Sequence, residues 1–183
     1  MSAQDRDESE LDPNVLDALA LSLPTAKVPA SLKDRLLSLA GGKERYLPFL
    51  DRLISIFDLG EPVAKGHLHS VDDADAWEDM LPGVRFRDFE CGPAVGDAHG
   101  GLVRLAPGET FPMHQHVGQE TVLILQGTLE DDDGKRFCAG DTVVSADGSQ
   151  HEVRNVGEDE VIYAALVTAI QFVGDDDDDD DDD

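Results

Sequence analysis

From Val84 to Val173 the chain is a series of short apolar runs punctuated by Gly, Pro and Asp, and this rhythm limits it to many short strands. The runs include Leu102–Leu105, Thr121–Leu125, Thr142–Ser145 and Val161–Gln171. Turn signals stand at Pro107-Gly108, Asp133-Gly134, Asp147-Gly148 and Val156-Gly157. Strands this short, with turns this regular, close into a β-sandwich or barrel. The expected fold class is therefore mainly β, preceded by short α-helices.

The side chains that carry chemistry fall in two segments of this β region. The first runs from Gly108 through His114, His116 and Glu120 to Gly127; the second runs from Gly140 through Gly148 and His151 to Asn155. In a strand alternate side chains share a face, so His114 and His116 point the same way. Glu120 opens the next strand after a short Val-Gly-Gln turn and can return to the same spot. His151 arrives from a later hairpin and can complete the set. Three imidazoles and one carboxylate suit one divalent metal ion, zinc foremost, with Fe, Mn, Ni or Cu as alternatives. Elsewhere His67 and His69 have the same spacing but sit in a helical stretch, where residues two apart do not face each other. They read as surface residues, and His99 beside Gly100-Gly101 reads as a loop residue.

Both segments resemble the two motifs of the cupin family. The first fits Gly-x5-His-x-His-x3-Glu-x6-Gly throughout, and the second fits Gly-x5-Pro-x-Gly-x2-His-x3-Asn except that Ala146 replaces the proline. The resemblance implies a small antiparallel jelly-roll barrel with the metal inside, held by His114, His116, Glu120 and His151. It also implies pairing into homodimers. The short connection from Gly127 to Gly140 leaves little room for elaborate substrate loops.

Ahead of the barrel the pattern is helical. Val15, Leu16, Leu19 and Leu23 recur at helical spacing, Leu32, Leu36 and Leu39 line a second face after Ser31, and Phe49, Leu50, Leu53, Ile54 and Phe57 make a broad apolar stripe. Shorter helical pieces are expected at Glu61–Leu68 and Val71–Trp77. With the segment Phe111-Pro-x-His114-x-His116-x-Gly118-x-Glu120, these stretches resemble the linker and cupin part of ChrR-type anti-sigma factors, over roughly residues 15–172. Those are bacterial regulators that hold a sigma factor inactive. In that family the sigma-binding domain carries its own His-x3-Cys-x2-Cys zinc site. Here no cysteine precedes Cys91 and no histidine precedes His67, so that site is missing from this sequence. The expected division is a disordered 1–12, a helical region or linker at 13–82, a ChrR-like cupin domain at 83–173 and a disordered poly-Asp tail at 174–183.

The net charge of −26, nine of it from Asp175–Asp183, argues against binding nucleic acid or a membrane surface. Two widely spaced cysteines, Cys91 and Cys138, make no disulfide framework and fit a reducing compartment. The polar start has no signal-peptide core, and no apolar run reaches the roughly 18 residues of a membrane span, so a cytoplasmic location is expected. Two functions fit. One is a metal-dependent sensor or regulator, with a sigma factor or another regulator held by the N-terminal helices and a small molecule at the metal. The other is a small metalloenzyme, a dioxygenase or isomerase. Strand alternation favours the first: Val122, Ile124 and Val153 share the metal's face, with Gln126 and Asn155 as its polar members, and none of these is an acid or base. The inward or outward phase of Tyr163 and Arg104 stays open.

Overall fold

A computed structural model of the chain describes residues 41–173. The expected charged stretch at 1–12, the leucine-patterned helices around 15–23 and 31–39, and the poly-aspartate run lie outside the described residues.

Pro48 sits in a 3-10 turn, Leu47–Phe49, that runs directly into helix α1, Leu50–Phe57. Helix α2, Glu61–His69, follows Gly60 with Pro62 in its first turn, where a missing N–H costs nothing. The third expected piece shrinks to one 3-10 turn, Ala74–Ala76, because Asp73 turns its side chain onto the Asp75 N–H. Such local bonding competes with helix growth. Among the described residues no helix is long and apolar enough to cross a membrane.

Strands then follow in close succession: β1 Glu78–Leu81, β2 Val84–Phe89, β3 His99–Leu105, β4 Thr110–Val117, β5 Glu120–Gln126, β6 Thr128–Asp131, β7 Arg136–Cys138, β8 Thr142–Ser145, β9 Gln150–Asn155, β10 Val161–Val167 and β11 Ala169–Phe172. Among the described residues they form two antiparallel sheets, ordered β1-β2-β3-β10-β5-β8 and β11-β4-β9-β6-β7. This is the mainly β jelly roll that the motifs imply. The single apolar run expected from Val161 to Gln171 is two strands, one in each sheet. The chain crosses between the sheets at Thr168. Crossings of the same kind at Gly118 and Gly127 use positive φ, 82° and 81°. A Cβ at Gly127 would lie 2.7 Å from Val161 Cγ2, so the turn admits only glycine.

The alternation of apolar residues along the central strands builds two cores from one sheet. Val103 and Leu105 of β3, Val122 and Ile124 of β5, and Val161, Tyr163 and Ala165 of β10 face the second sheet, where Phe111, Leu129, Phe137 and Val153 meet them. The intervening residues Leu102, Leu123, Leu125, Ile162 and Ala164 face the other way. There Leu53 and Phe57 of α1, Ala64 and Leu68 of α2, and Val71 and Trp77 cover them. The apolar stripe of α1 is therefore spent on its own sheet rather than left for a partner. Arginines of the sheet fasten this helical layer. Arg87 donates to the carbonyls of His67 and Ser70 at the end of α2, both at 3.1 Å. Arg104 donates to the Val71 carbonyl at 2.8 Å and lies over the Trp77 ring, 4.6 Å from its centre. Arg87 thereby caps the carbonyl end of α2 with positive charge.

Candidate metal centre

The four residues singled out by spacing come together between the sheets. His114, His116 and His151 stand on β4 and β9 of one sheet, and Glu120 opens β5 of the facing sheet. His114 and His151 are register partners. Simple alternation would place Phe111 on the opposite face from His114. Both nevertheless face inward, because β4 carries one extra residue between its pairings Phe111↔Val153 and His114↔His151. Pro112 lies in this bulge, where a ladder N–H is not required. The bulge also frees the Pro112 carbonyl to lie 2.8 Å from His114 Nδ1. A proton on Nδ1 donates to it and leaves the lone pair of Nε2 facing the centre.

The two motif segments are laced to each other. Gly118 N–H donates to Asp147 Oδ1 at 2.8 Å, Gly148 N–H to the His116 carbonyl at 2.9 Å and His116 N–H to the Ser149 carbonyl at 3.0 Å. Where the family motif has proline, the Ala146 carbonyl accepts from both the N–H and the hydroxyl of Ser149, at 3.1 and 2.6 Å. The turn closes without the proline.

His151 Nε2 lies 3.2 Å from the Nε2 atoms of both His114 and His116. Glu120 Oε2 is 3.7 Å from His116 Nε2 and 3.9 Å from His151 Nε2. One donor atom from each of the four residues falls within 4.8 Å of all the others. Ring nitrogens bound to one tetrahedral ion at ordinary zinc distances stand roughly 3.3 Å apart. A single proton on His151 Nε2 cannot serve both neighbouring lone pairs, whereas a shared cation can serve all three. Burial also prepares the donors. It holds His114, His116 and His151 below the usual histidine pKa, His116 at about 4, with the neighbouring rings adding to the effect at His116 and His151. Burial pushes the Glu120 carboxyl up to about 7. Neutral imidazoles are ready ligands, and a bound cation would restore the carboxylate. The donor set fits a divalent ion, and His114, His116, Glu120 and His151 could hold it.

His114, Glu120 and His151 line a cavity of about 630 Å3 between the sheets. Its walls include the expected Val122, Ile124 and Val153. The other expected wall residues are placed differently. A register irregularity between β5 and β10, at Ile162/Tyr163, separates the pairs Ile162↔Gln126 and Tyr163↔Ile124. Gln126 thereby turns to the helical layer, where its Oε1 accepts from the Tyr46 hydroxyl at 2.7 Å. Asn155 is fully buried but committed, donating to the Leu105 and Asp159 carbonyls and accepting from Gly157 N–H. Tyr163 faces inward and lines the cavity, whereas Arg104 lies against Trp77 on the helical side. His99 is the first residue of β3 rather than a loop residue, and it lines the cavity with Lys135 and Asp131–Asp133. Sequence alternation gave no access to these wall residues, because strand pairing and loop position set them. His67 and His69 stay outside the cluster, as expected, but His67 is half-buried and stacked on Phe89, ring centres 4.5 Å apart.

The sequence matches the family described as the ChrR Cupin-like domain over residues 66–170. It is 29% identical over 176 residues to the anti-sigma-E factor ChrR of Cereibacter sphaeroides, spanning 91% of this chain and 77% of that protein. Among solved structures it is similar to Rhodobacter sphaeroides SigE in complex with the anti-sigma ChrR, at 24% identity and TM-score 0.52, covering 84% of this chain and 75% of that one. An acetylacetone dioxygenase from Acinetobacter johnsonii is also similar, at 15% identity and TM-score 0.48, with 56% and 74% covered.

Proposed function

The chain belongs to the family of ChrR cupin-like domains, and from this we propose that it is a metal-binding regulatory protein whose partner is a sigma factor. His114, His116, Glu120 and His151 are its metal ligands, and zinc is the first choice of metal, ahead of iron, manganese and nickel. When bound, the ion would fix β4, β5 and β9 to one another and could act as a Lewis acid toward a small molecule that joins its coordination shell. The observation that carries the metal reading is the convergence of three Nε2 atoms and one buried carboxylate between the sheets. The partner is supported by the likeness to a protein named as an anti-sigma-E factor, which extends over nearly the whole chain. Because α1 and α2 spend their apolar faces on the six-stranded sheet, we assign partner contact to the leucine-rich sequence before residue 41. A cytoplasmic location goes with such a partner.

The test is to recover the tagged full chain from its native cell with and without chelator, identify co-purifying sigma factors and assay transcription with the recovered pair. A sigma factor whose activity the chain represses supports the reading. Recovery of the metal-loaded chain with no sigma factor in either condition overturns it. One observation favours a second reading, a small metalloenzyme: the amine of Lys135 and the imidazole of His99 line the same cavity as Tyr163. Turnover of a small molecule by a metal-loaded chain that has no sigma partner would establish that alternative.

A further inference from the structure

The cavity over the candidate centre has a character of its own. Its size falls in the range of pockets that enclose a small organic molecule. Phe86, Val103, Val122, Ile124, Val153 and Ala165 make its walls apolar. Asp88 and Asp131–Asp133 also line it, against Lys135 as the basic group. Tyr163, buried on β10, lines the cavity together with Glu120. Its phenol hydroxyl is a neutral hydrogen-bond donor among these lining residues.

From this geometry we infer that the cavity binds an uncharged molecule with an aliphatic or aromatic body and one oxygen donor, the oxygen directed to the metal position and hydrogen-bonded by Tyr163. Each charged alternative meets a specific cost. An anion must pass the aspartates and the field of a chain of net charge −26. A cation must leave water for apolar walls and then face a divalent ion. A neutral oxygen donor meets neither cost. The inference rests on the metal reading above and adds the class of ligand.

Octanamide and octanoate share a carbon chain and differ in charge, so they test it directly. The metal content of the full-length protein is measured first, and both probes are then titrated calorimetrically into the loaded protein. Octanamide is expected to bind at least tenfold more tightly than octanoate. Tyr163→Phe should weaken octanamide about tenfold while leaving metal content unchanged. Val143→Phe, which fills the cavity from the edge strand β8, should remove octanamide binding even if Tyr163→Phe proves unstable. A loaded protein that prefers octanoate, or binds neither probe, overturns the ligand inference and leaves the metal reading standing. Octanamide binding that is indifferent to a folded Tyr163→Phe removes Tyr163 from it. A protein that takes up no metal overturns both readings.

Discussion

The two faces of the six-stranded sheet are built from alternate residues of the same strands, yet they do different work. On one face Leu102, Leu123, Leu125, Ile162 and Ala164 meet Leu53, Phe57, Leu68 and Trp77 in a cluster closed to solvent. On the other, Glu120, Val122, Ile124, Tyr163 and Ala165 look across a cavity at the imidazoles of the second sheet. The first face is complete with protein atoms alone. The second brings together buried polar groups that could hold a cation. Stability should therefore come mostly from the helical side and chemistry from the barrel side, on a shared set of strands.

That division can be broken experimentally. Deleting residues 1–77 uncovers the whole outer face, and the largest effect is expected there: the fragment should aggregate when its soluble yield and sheet signal are measured. A soluble, metal-binding fragment would show instead that the helical layer is separable. Phe57→Ala should cost about 3–5 kcal/mol in denaturant unfolding, equally with and without chelator, and keep its metal. His151→Ala should do the reverse. Its metal content by elemental analysis should fall from about one equivalent to near zero, and chelator should no longer change its unfolding midpoint.

The metal side also predicts a pH dependence. Glu120 holds its proton below about pH 7 in the empty site and must release it to ligate. Metal affinity measured with a competing chelator should thus be flat above about 7 and fall as pH drops below it. The imidazoles add competition only at lower pH, because burial holds them neutral. Glu120→Gln should remove the step near 7. The smallest effect lies within the helical side. Gln126→Ala removes the hydrogen bond to Tyr46 and should cost about 1 kcal/mol of stability with no change in metal content.

How much of this was legible in the residues differs by element. The strand runs at Leu102–Leu105, Thr121–Leu125 and Thr142–Ser145 were readable from composition and turns, since each lies within one strand. The run from Val161 to Gln171 was not divisible in that way, because no glycine or proline marks the crossing at Thr168. Bulges caused the remaining misplacements. Alternation assumes a constant period of two, and one extra residue inverts every later position along a strand. Such an irregularity turned Gln126 away from the cavity, and the bulge at Pro112–Met113 brought both Phe111 and His114 inward.

The sequence alone determined a mainly β fold, the four metal-ligand candidates and their motif context. Local spacing and turn chemistry carry that information within a few residues. Only the tertiary structure decided that the helical layer shares a core with the barrel. It also decided that Tyr163 rather than Gln126 or Asn155 faces the cavity, and that aspartates line it. Those outcomes depend on strand register and on the meeting of residues far apart in the chain, and no local pattern encodes either.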